Sequence, residues 1–433
     1  MNYYSLNHKA PKVSFEEAVV KGLAPDKGLY FPESITKLPD TFFQNIEKMD
    51  NVTIAYEVIQ QFIGNEIPKN ELKAILEDVL NFDFPIEKVE DDIYALELYH
   101  GPTMAFKDVG ARFMARCLGH FNKDKAENKK EVTVLVATSG DTGGAVASGF
   151  LGVDGVEVVI LYPSGKVSDI QERQLTTLGQ NITALEVDGV FDDCQAMVKQ
   201  AFLDSDYEGK RVLTSANSIN IARWLPQMFY FFIAYKALKS KNKKLVFSVP
   251  SGNYGNICAG MMAQKLGLPI HHFVTGTNAN NIVPNYLETG KYLAKQSVQT
   301  ISNAMDVGDP SNFIRIKELH NNNFETLRNN LSGYSYSDAE TTESIKNLRS
   351  KFNYIADPHG AIGYLALKAY LKDKTHTLGV FLETAHPIKF LDVMPKTIAK
   401  EIKMPPQIEA VLNKDKKRIK ISNYNQLKSY LLS

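Results

Sequence analysis

Residues 244–260 read KLVFSVPSGNYGNICAG: an apolar, β-branched and aromatic run, a turn crowded with two glycines and two asparagines, then small residues at helical spacing. In an open α/β sheet such a turn lies beyond the carboxyl end of a strand. There the N–H groups of the following helix face outward with the positive end of its dipole. Glycine lets that backbone approach an anion closely. Residues 136–147, VATSGDTGGAVA, repeat the plan S-G-[DN]-[TY]-G after the run EVTVLVA. Two such loops imply two anions, and their Ser, Thr and Asn side chains can add donors, which suits a phosphate in one place and a carboxylate in the other. Neither loop ends in the Lys-Ser or Lys-Thr pair of a Walker loop, and neither is G-x-G-x-x-G, so nucleotide readings lose ground. Helix capping and close packing remain the bland reading of either loop.

Around these turns the same alternation recurs. VEVVILYP, ITALEVDG, HHFVTGT and HTLGVFLET are strand-like runs separated by helix-length stretches, which predicts βαβ units and parallel sheets covered on both faces. Residues 1–85, with SFEEAVVKGL and NVTIAYEVIQQFIG, pattern as a helical region. The lysine-rich segment 236–247 reads as a solvated connection, and the final ISNYNQLKSYLLS carries no assigned role.

Composition narrows the function classes. With 433 residues, 44% hydrophobic, the chain can bury sizeable cores and divide into two or three domains. Lys plus Arg equals Asp plus Glu at 49 each, so the broad positive field expected for nucleic-acid or membrane binding is missing. A small-molecule partner is expected. Cys117, Cys194 and Cys258 show neither zinc-type spacing nor a disulfide framework, and no metal is expected. Without an apolar signal segment or a membrane-length run, the expected location is the cytoplasm.

Residues 99–116, YHGPTMAFKDVGARFMAR, place Lys107 after Met104-Ala105-Phe106 and before a helix-like stretch. A lysine in such a setting can have its pKa lowered by desolvation and form a Schiff base with an aldehyde; a surface or capping lysine is the alternative. Joined to two anion-binding turns, the lysine fits pyridoxal phosphate, which needs an amine, a phosphate cradle and a second site for an amino-acid carboxylate.

In this order, HGPTMAFKD, TSGDTGGAVA, SANSINIAR, PSGNYGN and ETAHPIKF, preceded by VSFEEAVVKGLAPDKGLYFPE, make a sequence that resembles the threonine synthases of the longer class over nearly its whole length. The resemblance implies an α/β, fold type II pyridoxal-phosphate enzyme, tryptophan synthase β-like, converting O-phospho-L-homoserine and water to L-threonine and phosphate. Two parallel-sheet domains and an N-terminal mainly helical domain are expected: residues 1–85 helical, 86–110 with 231–433 the large cofactor-binding domain, and 111–230 a smaller mobile domain. By position, Lys107 would be the Schiff-base lysine and acid/base. Gly252, Asn253, Tyr254, Gly255 and Asn256 would bind the cofactor phosphate, and Thr384 the pyridine nitrogen. Thr138, Ser139, Gly140, Asp141 and Thr142 would embrace the substrate carboxylate, the Asp141 side chain turning back to hold its own loop. Ser215, Asn217, Ser218, Asn220 and Arg223 would bind the substrate phosphate, unless SANSINIARW is only a capped helix start. His359 lines the site or is a buried structural histidine; His386 shapes its turn; Lys389 could approach an anion but stands outside the main set. The assembly is open between monomer and homodimer. Competing readings are a serine or threonine dehydratase, a phospholyase, and a non-catalytic anion-binding α/β protein.

Overall fold

The computed structural model describes residues 1–123 and 132–433; Glu131, which opens the run EVTVLVA, lies outside them. The N-terminal region is built mainly from helices with legible caps. Ser14 accepts from Glu17 N at the start of Phe15–Lys21, whose first turn carries Glu16 and Glu17 and whose last carries Lys21. Asp50 likewise caps Asn51–Ile63, which buries Ile54, Ala55, Val58, Ile59, Phe62 and Ile63 on one face. The region also holds an unexpected antiparallel pair, β1 (Tyr3–Ser5) and β2 (Tyr30–Pro32). Three residues per strand are too few for alternation to register in the sequence.

The next strands, β3 (Ile86–Glu90) and β4 (Ile93–Glu97), form a hairpin. The chain then builds a second sheet from β5 (Val132–Ala137), β6 (Val156–Pro163), β7 (Ile182–Val187) and β8 (Val212–Ser215). It returns to the first sheet with β9 (Lys244–Pro250), β10 (His272–Thr277), β11 (Leu331–Ser335) and β12 (Thr377–Glu383), and ends with β13 (Ile419–Ile421). The six-stranded order is β11-β10-β9-β12-β4-β3 and the five-stranded order β13-β7-β6-β5-β8. Each of the six runs named from the sequence contains a strand, and nearly every residue of those strands is buried, as parallel strands covered on both faces must be.

Two expectations change. The larger sheet is mixed, because β3 runs antiparallel at its edge, where IEKVE is half exposed and gives a weak signal. The expected grouping of 231–433 with the larger sheet also fails at its end. Strand β13 pairs in parallel with β7, and the helix Tyr424–Leu432 buries Leu427 and Leu431 in the core of the smaller sheet. Nothing in ISNYNQLKSYLLS distinguishes one sheet edge from another; only the long-range pairing does. The chain therefore crosses between the sheets three times.

Candidate active site

Topology brings the quoted motifs together. Strand β9 pairs with β12, so PSGNYGN and ETAHPIKF emerge side by side. Strand β5 pairs with β8, Leu135 opposite Ser215, so TSGDTG and SANS emerge together from the other sheet. Strand β4 flanks β12, and the chain beyond it stays pinned there: Phe106 N donates to Thr384 O at 2.9 Å, and Ala105 bridges Ala385. Lys107 follows at the start of the helix Lys107–Lys123. The loop before it is tight. Met104 has φ 58°, and Thr103 donates through N (2.9 Å) and Oγ1 (2.5 Å) to the buried Asp108 carboxylate.

Lys107 lines a cleft between the carboxyl ends of the two sheets, together with Thr138, Asn217, Arg223, Asn253 and Thr384. Its side chain is largely buried there. Loss of hydration, helped by the charges of Lys389 and Arg223, outweighs the attraction of Asp141 and brings the Lys107 ammonium down to about 8.

The downstream turn is held by its own sheet. Tyr254 takes a left-handed conformation (φ 62°), and Thr275 Oγ1 on β10 donates to its hydroxyl at 3.1 Å. The Asn256 amide donates to Pro250 O (2.8 Å) and its oxygen accepts from Ile257 N (2.9 Å). Gly252 lies against the excursion after the helix Ile282–Thr289: a Cβ there would stand 2.7 Å from Ala304 O and 2.8 Å from Met305 Cα. The upstream turn closes on Thr138, whose Oγ1 accepts from Gly140 N (3.0 Å) and Gly143 N (2.8 Å).

Asp141 does not turn back onto its loop as expected. Its Oδ1 accepts from Lys389 Nζ at 2.6 Å and from Gln171 Nε2 at 3.1 Å, and the same ammonium donates to Thr103 O at 2.9 Å. Burial alone would raise the Asp141 carboxyl, but Lys389 and Lys107 more than reverse it and hold it below the usual carboxylate range. Because Lys389 follows β12 and Asp141 follows β5, this pair joins the two sheets. Arg223 is buried; it donates to Ala216 O, while its Nε has no partner.

Residues 2–80 match the family model described as threonine synthase N terminus, 79–381 that of pyridoxal-phosphate dependent enzymes, and 360–431 that of threonine synthase, C-terminal. The chain is 44% identical to a threonine synthase of Haemophilus influenzae over the whole of both chains, and 42% identical to that of Escherichia coli over 94% of each. The chain belongs to the threonine synthase family. Its fold superposes on the crystal structure of the Escherichia coli threonine synthase with TM-score 0.92 and 40% identity, covering 100% of this chain and 99% of that one. A pyridoxal-phosphate-bound threonine synthase of Brucella melitensis gives the same TM-score and coverage at 32% identity. This is therefore a fold type II pyridoxal-phosphate enzyme. The residues present fit that cofactor: an amine of lowered pKa and an N–H-rich turn whose Gly252 tolerates no side chain meet in one cleft.

Of the residues marked by the resemblance to threonine synthase, the cleft gathers Lys107, Thr138, Ser139, Thr142, Asn217, Ser218, Arg223, the whole turn 252–256 and Thr384. Gly140 and Asp141 are not part of its wall. Ser215 and Asn220 also fall outside it. Asn220 is the cap of the short helix Ile221–Trp224: its oxygen accepts from Ala222 N, and its amide donates to Val19 O and Ser215 O. Ser215 Oγ is engaged with Asn217, accepting from its N–H at 3.2 Å. The capped-helix reading thus fits Asn220, while Asn217, Ser218 and Arg223 line the cleft.

His359 reaches the wall and is also a structural tie, with Nδ1 2.5 Å from Asp357 Oδ1 and Nε2 accepting from Ala304 N. His386 caps its turn, accepting from Ile388 N, and burial holds its imidazolium down to about 4. Sequence reasoning set Lys389 aside, although ETAHPIKF contained it. Residues 303–307 gave no signal at all.

Proposed function

We propose that this chain converts O-phospho-L-homoserine and water to L-threonine and phosphate. The observation that supports this reading is one cleft holding an amine of lowered pKa and three separate groups of anion donors. Lys107 would hold the cofactor at its aldehyde carbon, residues 252–256 its phosphate, and Thr384 its ring nitrogen. When bound, pyridoxal phosphate supplies the extended electron sink that the carbanions of this reaction need.

The chain's own residues do the rest. Lys107 Nζ takes the proton at Cα, removes one at Cβ, delivers one to Cγ and returns one to Cα; one amine suffices because the transfers are sequential. Ser139, Thr142 and the N–H groups opening the helix Asp141–Phe150 orient the substrate carboxylate. Asn217, Ser218 and Arg223 receive the phosphate as it leaves Cγ. Water must be excluded until that departure and then admitted to Cβ, so the smaller sheet and its helices form the mobile unit that closes on the larger one. The enzyme works in the cytoplasm.

A dehydratase has no second phosphate to hold, and Arg223, on the cleft wall beside Asn217 and Ser218, favours a substrate that carries one. Orthophosphate release from O-phospho-L-homoserine, measured beside ketoacid formation from L-threonine, tests the reading. Ketoacid without phosphate release would sink it.

A further inference from the structure

Arg315 lies in the helix Phe313–Leu319 and is fully buried, with its guanidinium 4.5 Å from the Trp224 ring. Its donors meet oxygens only. Nε and Nη2 reach Tyr30 O (3.3 and 2.9 Å), Nη2 reaches Ile219 O (2.7 Å), and Nη1 reaches Ser218 O (3.3 Å) and the Asn312 side chain (2.7 Å). Among the described residues no carboxylate pairs with it. A guanidinium offers donors and no acceptor, so the Asn312 atom facing it must be the amide oxygen. That leaves Asn312 Nδ2 facing Ser218 Oγ, to which it donates at 3.1 Å. A hydroxyl that accepts from behind keeps its own proton for an acceptor in front. Ser218 lines the cleft beside Asn217 and Arg223, so that acceptor is an anion in the cleft.

The same residue also touches the other phosphate turn. Asn312 N donates to Asn253 O at 3.2 Å, and Ser311 N to Asn253 Oδ1 at 3.0 Å. Gly255 leaves room for the contact, since a Cβ there would stand 3.3 Å from Asn312 Nδ2 and from Ser218 Cβ. A buried cation without a counter-ion is costly, and an anion bound nearby offsets that cost.

We infer that Asn312 and Arg315 are positioning residues that turn the Ser218 hydroxyl proton toward the ligand's phosphate and so set the site's preference for a phosphorylated amino acid. This rests on the reaction proposed above, which assigns Ser218 to the substrate phosphate. Arg315 orients the amide, the amide orients the hydroxyl, and the hydroxyl meets the anion.

The decisive variant is Asn312→Asp, which keeps the volume and the oxygen that Arg315 holds while replacing the donor by an acceptor. In the holoenzyme, the KM for O-phospho-L-homoserine and the dissociation constant of orthophosphate, read by calorimetry, both rise about tenfold or more. The kcat falls by a smaller factor, and the affinity for L-threonine, which carries no phosphate, is retained. Asn312→Ala gives a smaller rise in the same two constants, and in a Ser218→Ala background it adds nothing further. Unchanged orthophosphate affinity, a parallel loss of L-threonine affinity, or full additivity with Ser218→Ala overturns the inference. A wild-type enzyme that binds orthophosphate but releases none from O-phospho-L-homoserine overturns the proposed reaction instead, and calorimetry on the variants still decides the role of Asn312.

Discussion

The two glycine-rich turns read alike in sequence and are held in different ways. PSGNYGN is tied to Pro250, Thr275 and the excursion through Ala304 and Met305, all from the larger sheet and its connections. TSGDTG closes on Thr138, but its Asp141 is tied to Lys389 beyond the end of the opposite sheet. A turn supported mainly by its own sheet suits a resident cofactor, although Gly255 also lies against Ser218 from the other side. A turn whose charged residue depends on the other sheet would change if the sheets parted, which suits a ligand that comes and goes.

The strongest challenge to this contrast is Lys107→Ala, which removes the group between the turns. Turnover should fall by about 10³-fold or more, while both turns still bind their anions, so the cofactor remains but is no longer fixed by borohydride. Absorbance after gel filtration, with and without borohydride, checks this.

Asp141→Asn should cost about 3–5 kcal/mol in the closed state, because it leaves Lys389 buried without its partner. If the contrast holds, the KM for substrate rises steeply and cofactor affinity stays near wild type; equal losses in both would erase the distinction. Gly252→Ala should do the reverse. Its Cβ would push the backbone at Ala304 and Met305, an overpacking of about 1–3 kcal/mol. Cofactor dissociation should quicken, with substrate KM nearly unchanged in the fully loaded enzyme.

The mildest effect is that of pH. The Lys107 amine ionises near 8, so its neutral, reactive fraction is about a tenth at pH 7 and about half at pH 8. Reconstitution of apoenzyme with pyridoxal phosphate should speed up with rising pH and level off above 8. Asp141→Asn, by removing an attraction that raises this pKa, should move the midpoint lower. A midpoint near 10 would mean that the cleft does not desolvate the amine.

How much of this was legible depended on how local each signal is. Strands β5, β6, β7, β9, β10 and β12 announce themselves because buried parallel strands are continuous apolar runs. Both turns are legible because a strand, glycines and small helical residues follow one another directly in the chain. Lys107 is legible from its motif. Strand β13 is not, since three residues of IKI could pair with any edge. The Asp141–Lys389 pair, 248 residues apart in sequence, is equally silent. SANSINIAR was legible as a donor-rich segment, but which donors face the cleft depends on backbone direction: Asn217 and Ser218 face it, while Asn220 turns to cap its helix. Residues 303–307 approach Gly252 partly through Ala304 O and Met305 Cα, main-chain atoms that leave no mark on residue type.

The Lys389–Asp141 contact also bears on the proposed closure of the cleft. Separating the sheets means rehydrating an ammonium and a carboxylate together, and a half-parted arrangement, with one ion wet and the other bare, is the least stable of all. The cleft should therefore behave as a latch with two positions and little between them. Products would wait behind it, and a turnover number that declines as the medium is made more viscous would betray the wait.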